Sequence, residues 1–175
     1  MTLSIGQEVI VNKLLMALPL LIGLAFAQTQ APKPPLVECV AGKNLPCVVL
    51  ATKTSDMAGI WKQYQSNPAF APLGGMGYIR YNSDGTFVIA DTLENTAAPH
   101  KPFPYGKFGF DGSRMTIQVQ NPPPTMPECA RSVQEVRVIH LGDALVGLSF
   151  TPLEDTCKPR LDSIAQVQIY VGAAR

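Results

Sequence analysis

Two histidines and four cysteines are the residues of this chain best suited to metal or nucleophilic chemistry. His100 falls in a predicted loop at one end of the strands around it, and His140 falls beside a predicted tight turn at the other end. A shared metal or a histidine relay is therefore not expected. Gly147-Leu148-Ser149-Phe150-Thr151 lacks the closing glycine of G-x-S-x-G and lies within an extended run, where no nucleophile elbow forms. No C-x-x-C, H-E-x-x-H or phosphate loop occurs. Asp84-Gly85 lacks the surrounding acidic spacing of a calcium loop, and a hairpin turn accounts for it. Asp91, Glu94, Glu154, Asp155 and Asp162, with Arg131, Lys158 and Arg160, gather in predicted loops. Loop charges are usually solvated, and this rim is where any acid–base chemistry would have to lie. No catalytic residue, metal ligand or cofactor is expected, and an enzyme is the less favoured reading.

Export sets the context for the cysteines. Residues 14–27 (LLMALPLLIGLAFA) form an apolar run after Lys13, and Ala25-Phe26-Ala27 fits a small-x-small cleavage site. Residues 1–27 therefore read as a signal peptide; the competing reading is a retained membrane anchor, for which the run is short and carries Pro19. Glu38 precedes Cys39 where a lipoprotein signal would need a small residue. Residues 28–38, which include QTQAPKPP, read as a Pro-rich linker, leaving residues 39–175 as one domain. The expected location is periplasmic or extracellular, where an even set of cysteines favours disulfides. Net charge is +1 with no Lys/Arg run, so neither nucleic acid nor, after cleavage, a membrane is an expected partner.

The elements that must position these residues are strands. Sixteen prolines and 14 glycines favour short strands and turns over long helices. Aromatic and β-branched runs predict strands at 58–65, 77–82, 86–91, 105–110, 114–120, 133–140, 144–151 and 163–171, with 48–52 as a short extended segment before them. In 114–120, Met115, Ile117 and Val119 share a face; in 144–151, Val146, Leu148 and Phe150 do. The last strand alternates Val167, Ile169 and Val171 against Gln166, Gln168 and Tyr170. No convincing helix intervenes. Ser83-Asp84-Gly85, Asp111-Gly112 and Leu141-Gly142-Asp143 predict tight turns, whereas the alternate connections are long. In an up-and-down order all tight turns fall at one end and all long loops at the other. The fold class expected is all-β, an eight-stranded up-and-down antiparallel barrel shaped as a cup with a loop-rimmed mouth.

This layout selects a disulfide pairing. If 133–140 and 144–151 pair about Gly142, Cys129 falls opposite roughly residue 155, close to Cys157. Cys129–Cys157 would clamp the base of two mouth loops and contribute ~2–4 kcal/mol. Cys39 and Cys47 then pair locally.

Gly59-Ile60-Trp61, at the start of the first predicted strand, matches the G-x-W of the lipocalins, and with the short/long loop alternation the chain resembles that family and the wider calycin superfamily, in particular short exported bacterial barrels. The resemblance implies a lipocalin-like barrel with Trp61 packed inside the closed bottom, against a basic residue near the last strand; Arg160 and Arg175 flank that strand. Candidate ligand contacts are Tyr64, Phe103, Tyr105, Phe108, Phe110 and Phe150, any of which could equally fill the barrel. Trp61, Cys39, Cys47, Cys129 and Cys157 are read as structural. The leading functional expectation is a binder of a small apolar or amphipathic molecule in the cup. Its rivals are a filled barrel that binds a protein through its mouth loops, as a small inhibitor does, and a barrel isomerase or cyclase.

Overall fold

Three short turns fold most of the chain into hairpins. The computed structural model describes residues 33–65 and 74–174; the predicted signal segment and the start of the Pro-rich stretch lie outside the described residues. Strands β1 (Pro46–Leu50), β2 (Gly59–Tyr64), β3 (Met76–Tyr81), β4 (Thr86–Ala90), β5 (Tyr105–Asp111), β6 (Arg114–Val119), β7 (Arg131–Leu141), β8 (Ala144–Glu154) and β9 (Gln168–Gly172) follow one another, with a helix α1 (Lys158–Ile164) between the last two. Gly85 adopts φ +82 between β3 and β4, and its backbone lies so close to β5 that a Cβ there would sit 2.7 Å from the Phe108 carbonyl oxygen. Only glycine meets both demands at once.

Strands β2 to β9 pair in sequence, all antiparallel, and the ring closes where β9 meets both β8 and β2. The molecule is therefore an all-β, eight-stranded, up-and-down antiparallel barrel. The ninth strand, β1, has a simple origin. β7 has 11 residues and β6 only 6. β6 covers β7 from Arg131 to Glu135, and β1 takes the rest of the same edge, from Arg137 to Leu141. The stretch expected as a short extended segment is thus a full sheet member. Ahead of it, Val37 bridges Val48, the Pro34 carbonyl accepts from Arg137 Nη1, and Lys33 lies 2.5 Å from Glu135.

The bottom is closed by the turn between β1 and β2. Asp56 accepts from the backbone N–H groups of Thr52 and Lys53, and Thr54 Oγ1 donates to the Ser83 carbonyl at 2.6 Å. This brings Met57 beneath the barrel, where its carbonyl accepts from Trp61 Nε1 at 2.9 Å. Trp61 is fully buried with its only polar atom satisfied. Its ring meets Tyr170 of the last strand edge-on at 5.0 Å; of the two basic candidates for its neighbour, Arg160 lies in α1 and Arg175 lies outside the described residues. Tyr81, Phe108, Met115, Val136, Val138, Leu148 and Phe150 continue this packed core.

Two sequence expectations are corrected. Residues 158–164 form α1 instead of loop and strand, and the last strand begins at Gln168. Pro159 sits in the first helical turn, where its missing N–H is no loss, and Lys158 meets Asp162 one turn on. Val146 does not share the inward face of Leu148 and Phe150. The β7–β8 register shifts between Ile139 and His140, so Leu145 pairs opposite His140 and Val146 bulges outward, 38 % exposed.

Both disulfides join the expected partners, Cys39–Cys47 and Cys129–Cys157. The β7–β8 ladder, with Val136 opposite Phe150, carries the pairing on to the second of them.

Candidate functional site

Strand alternation puts two kinds of side chain inside the barrel. From Trp61, the next inward positions are Gln63 on β2 and Gln65 just past its end. On β7 the inward series rises from Val138 and Val136 to Gln134 and Ser132. On β9 it rises from Tyr170 to Gln168. All five of the polar residues are buried. The interior is thus aromatic and aliphatic toward the tight turns and amide-rich toward the long loops.

A cavity of about 100 Å³ opens at that amide-rich level. Ile79, Phe87, Ile89, Ile117 and Val119 form its apolar wall. Gln63, Gln65, Gln134, Gln168 and Tyr81 supply its polar groups, and α1 covers it with Pro159, Arg160, Ser163 and Ile164. Burial pushes the Tyr81 hydroxyl pKa strongly upward, with Gln168 and the Arg160 charge opposing, so it stays a neutral phenol.

Hydrogen bonds satisfy part of this set. Gln168 Nε2 donates to Gln63 Oε1. Gln134 Nε2 donates to Ser132 Oγ at 2.8 Å and, more weakly, to Asp155 Oδ2 at 3.3 Å. Gln65 Nε2, Gln134 Oε1 and Gln168 Oε1 are buried without a partner among the described residues.

The position of α1 over the cavity is fixed by one charged pair and one covalent bond. Arg160 grips Asp155 with two bonds, Nε to Oδ2 at 2.6 Å and Nη2 to Oδ1 at 3.0 Å. The same guanidinium donates to the carbonyls of Cys129 and Arg131. Asp155 also accepts from the Cys157 N–H. Burial of this carboxyl opposes its ionisation, but Arg160, Ser132 and the Cys157 N–H outweigh that and hold its pKa below the ordinary aspartate value. Cys157, at the N-terminus of α1, is bonded to Cys129 in the β6–β7 connection.

The remaining rim charges lie apart from the cavity lining. Glu154 joins Arg114 and Arg131, and all three are more than half exposed. Asp91 is held by Asn95 and its own loop, with His100 3.8 Å away. The Asn95 bond leads in lowering the Asp91 pKa. His140, on β7 beside the tight turn, is remote from this group.

None of the six aromatic candidates lines the cavity. Tyr64 packs over Gly75, on the face of β2 opposite Trp61 and Gln63. Phe103 is buried within the β4–β5 connection against His100, and Tyr105 is anchored beside it through Asn121. Phe108 and Phe150 belong to the packed core, with Phe110 against it. The glutamines carried a usable signal on β2 alone. If Trp61 points inward, Gln63 and Gln65 must follow at i+2 and i+4.

Compared with known proteins, the chain matches no family model, no curated protein and no solved structure. Fold and site geometry define it as a disulfide-linked, closed antiparallel barrel with a cavity at its mouth.

Proposed function

We propose that this is an exported, lipocalin-like barrel that binds a small apolar or amphipathic molecule in its cup. The carrying observation is the cavity itself: apolar walls and a few convergent polar groups, at the loop-rimmed end of a barrel whose other end is packed shut. G-x-W at Gly59-Ile60-Trp61 and the alternation of tight and long connections support the lipocalin likeness. The two disulfides suit an oxidising compartment, and no helix among the described residues is long and apolar enough to cross a membrane. Native mass spectrometry of protein from an exporting host, before and after organic extraction, tests this reading. A discrete extractable adduct is the expected result. Bare protein that also takes up no apolar probe would count against it.

A second reading is favoured by one observation. Asn121 donates to the Phe103 carbonyl and accepts from the Tyr105 N–H, tying the β4–β5 and β6–β7 connections together. That is the cross-braced mouth ridge a protein-binding or inhibitor module would use. Recovery of a stoichiometric protein partner, lost when Asn121→Ala loosens the ridge, would favour it.

A further inference from the structure

The chemistry of the cavity narrows what can enter it. Three buried amide atoms without a partner among the described residues belong to side chains that line one small space: a donor, Gln65 Nε2, and two acceptors, Gln134 Oε1 and Gln168 Oε1. Their side chains belong to residues only 7 %, 0 % and 1 % exposed, one just past the end of β2 and the others on β7 and β9. Leaving one such group unpaired costs about 1–3 kcal/mol, so three around one cavity mark a place completed by something that enters it.

Charge is the second constraint. Among the described residues the one ionised side chain in the lining is Arg160, and its guanidinium is directed at Asp155 and two backbone carbonyls. An ion entering here would lose its hydration and meet amides and hydrocarbon in return. Space is the third. At about 100 Å³ the cavity is somewhat smaller than one known to admit benzene, of about 150 Å³.

We propose that the cup selects an uncharged head group that both donates and accepts hydrogen bonds, such as a primary amide, attached to a short apolar tail, and rejects the corresponding carboxylate and ammonium. This rests on the cup reading above and specifies its ligand class. The donor of such a head meets Gln134 Oε1 and Gln168 Oε1, its acceptor meets Gln65 Nε2, and its tail lies against Ile79, Ile89 and Ile117.

The test uses the disulfide-intact mature protein and five probes at pH 7: pentanamide, pentan-1-ol, pentanoate, pentylammonium and benzene, each titrated by NMR. Pentanamide should bind at least about tenfold more tightly than pentanoate or pentylammonium, with pentan-1-ol between. Gln65→Met, which keeps the volume, should weaken pentanamide roughly three- to tenfold and leave benzene unchanged. Gln168→Met, on another strand, is the second variant, and a melting curve checks that each folds. Equal or tighter binding of either ion, or an amide preference untouched by both variants, would overturn the head-group inference. Benzene binding alone would do so while leaving the cup reading standing. Binding of no probe would overturn both.

Discussion

The two ends of this barrel solve opposite problems with the same strands. At the bottom, Trp61, Met57, Met115 and Val136 are fully buried, and the indole N–H is spent on the Met57 carbonyl. At the mouth, the inward positions of β2, β7 and β9 switch to glutamine, and the space above them is closed by a seven-residue helix. That helix is held by a disulfide, an ion pair and the packing of Leu161 and Ile164 against the core. The bottom is where stability comes from. The mouth carries unpaired polar groups that a domain built for stability alone would replace with hydrocarbon. The difference is the ground on which the proposed ligand is placed at the mouth and not at the bottom.

Substitutions at the two ends should separate them. Trp61→Ala removes the largest buried side chain and its aromatic neighbour contact; we expect a loss of ~3–5 kcal/mol in denaturant unfolding. A loss below about 1 kcal/mol would mean the bottom is not the principal core. Asp155→Asn leaves the Arg160 charge facing a neutral amide, and should cost about 3 kcal/mol at pH 7. Because the folded pKa of Asp155 is depressed, its contribution is present above the unfolded value near 4 and is lost as pH falls through the folded value. The gap between wild type and Asp155→Asn should therefore narrow in melts taken at progressively lower pH.

Replacing Cys129 and Cys157 together by serine should cost ~2–4 kcal/mol. Hydrogen exchange should rise first in α1 and the β6–β7 connection and leave the amides around Trp61 protected. Loss of protection at both ends together would mean that the two ends unfold as one unit. The smallest effect is the most telling. Gln65→Met should leave stability unchanged or raise it by up to ~1 kcal/mol, since an unpaired buried amide is replaced by hydrocarbon. A polar-to-apolar change in a folded interior that stabilises is the mark of a position kept polar for another reason.

Much of the bottom was legible in the sequence, and less of the mouth. Asp-Gly and Gly-Asp turns, clean alternation in Met115-Thr116-Ile117 and the short/long rhythm of the connections specify the barrel. The β7–β8 register even selects the Cys129–Cys157 pair. Three features escaped for physical reasons. The α1 helix has only seven residues, with apolar contacts limited to Leu161 and Ile164 against the core, too short a period to stand out from a strand. The Val146 bulge shifts one position of an otherwise regular face, which no alternation rule anticipates. On and just before β9 the apolar set Val167, Ile169 and Val171 faces out, at 45 %, 58 % and 44 % exposure, while Gln168 and Tyr170 face in. Burial of Gln168 depends on a partner 105 residues away, Gln63. Local pattern carries no such information. Phe108 and Phe150 lie in the packed core, and part of the cavity lining is glutamine, which composition alone would assign to the surface.

Methyl NMR with benzene as the probe tests the central claim most directly, that one end of the barrel is filled and the other receives a ligand. Titration of the methyl-labelled, disulfide-intact protein should give saturable shifts at Ile79, Ile89, Ile117 and Val119, with Val136, Val138 and Leu148 unmoved. No saturable shift, or shifts as large at Val136, Val138 and Leu148 as at the mouth, would contradict it.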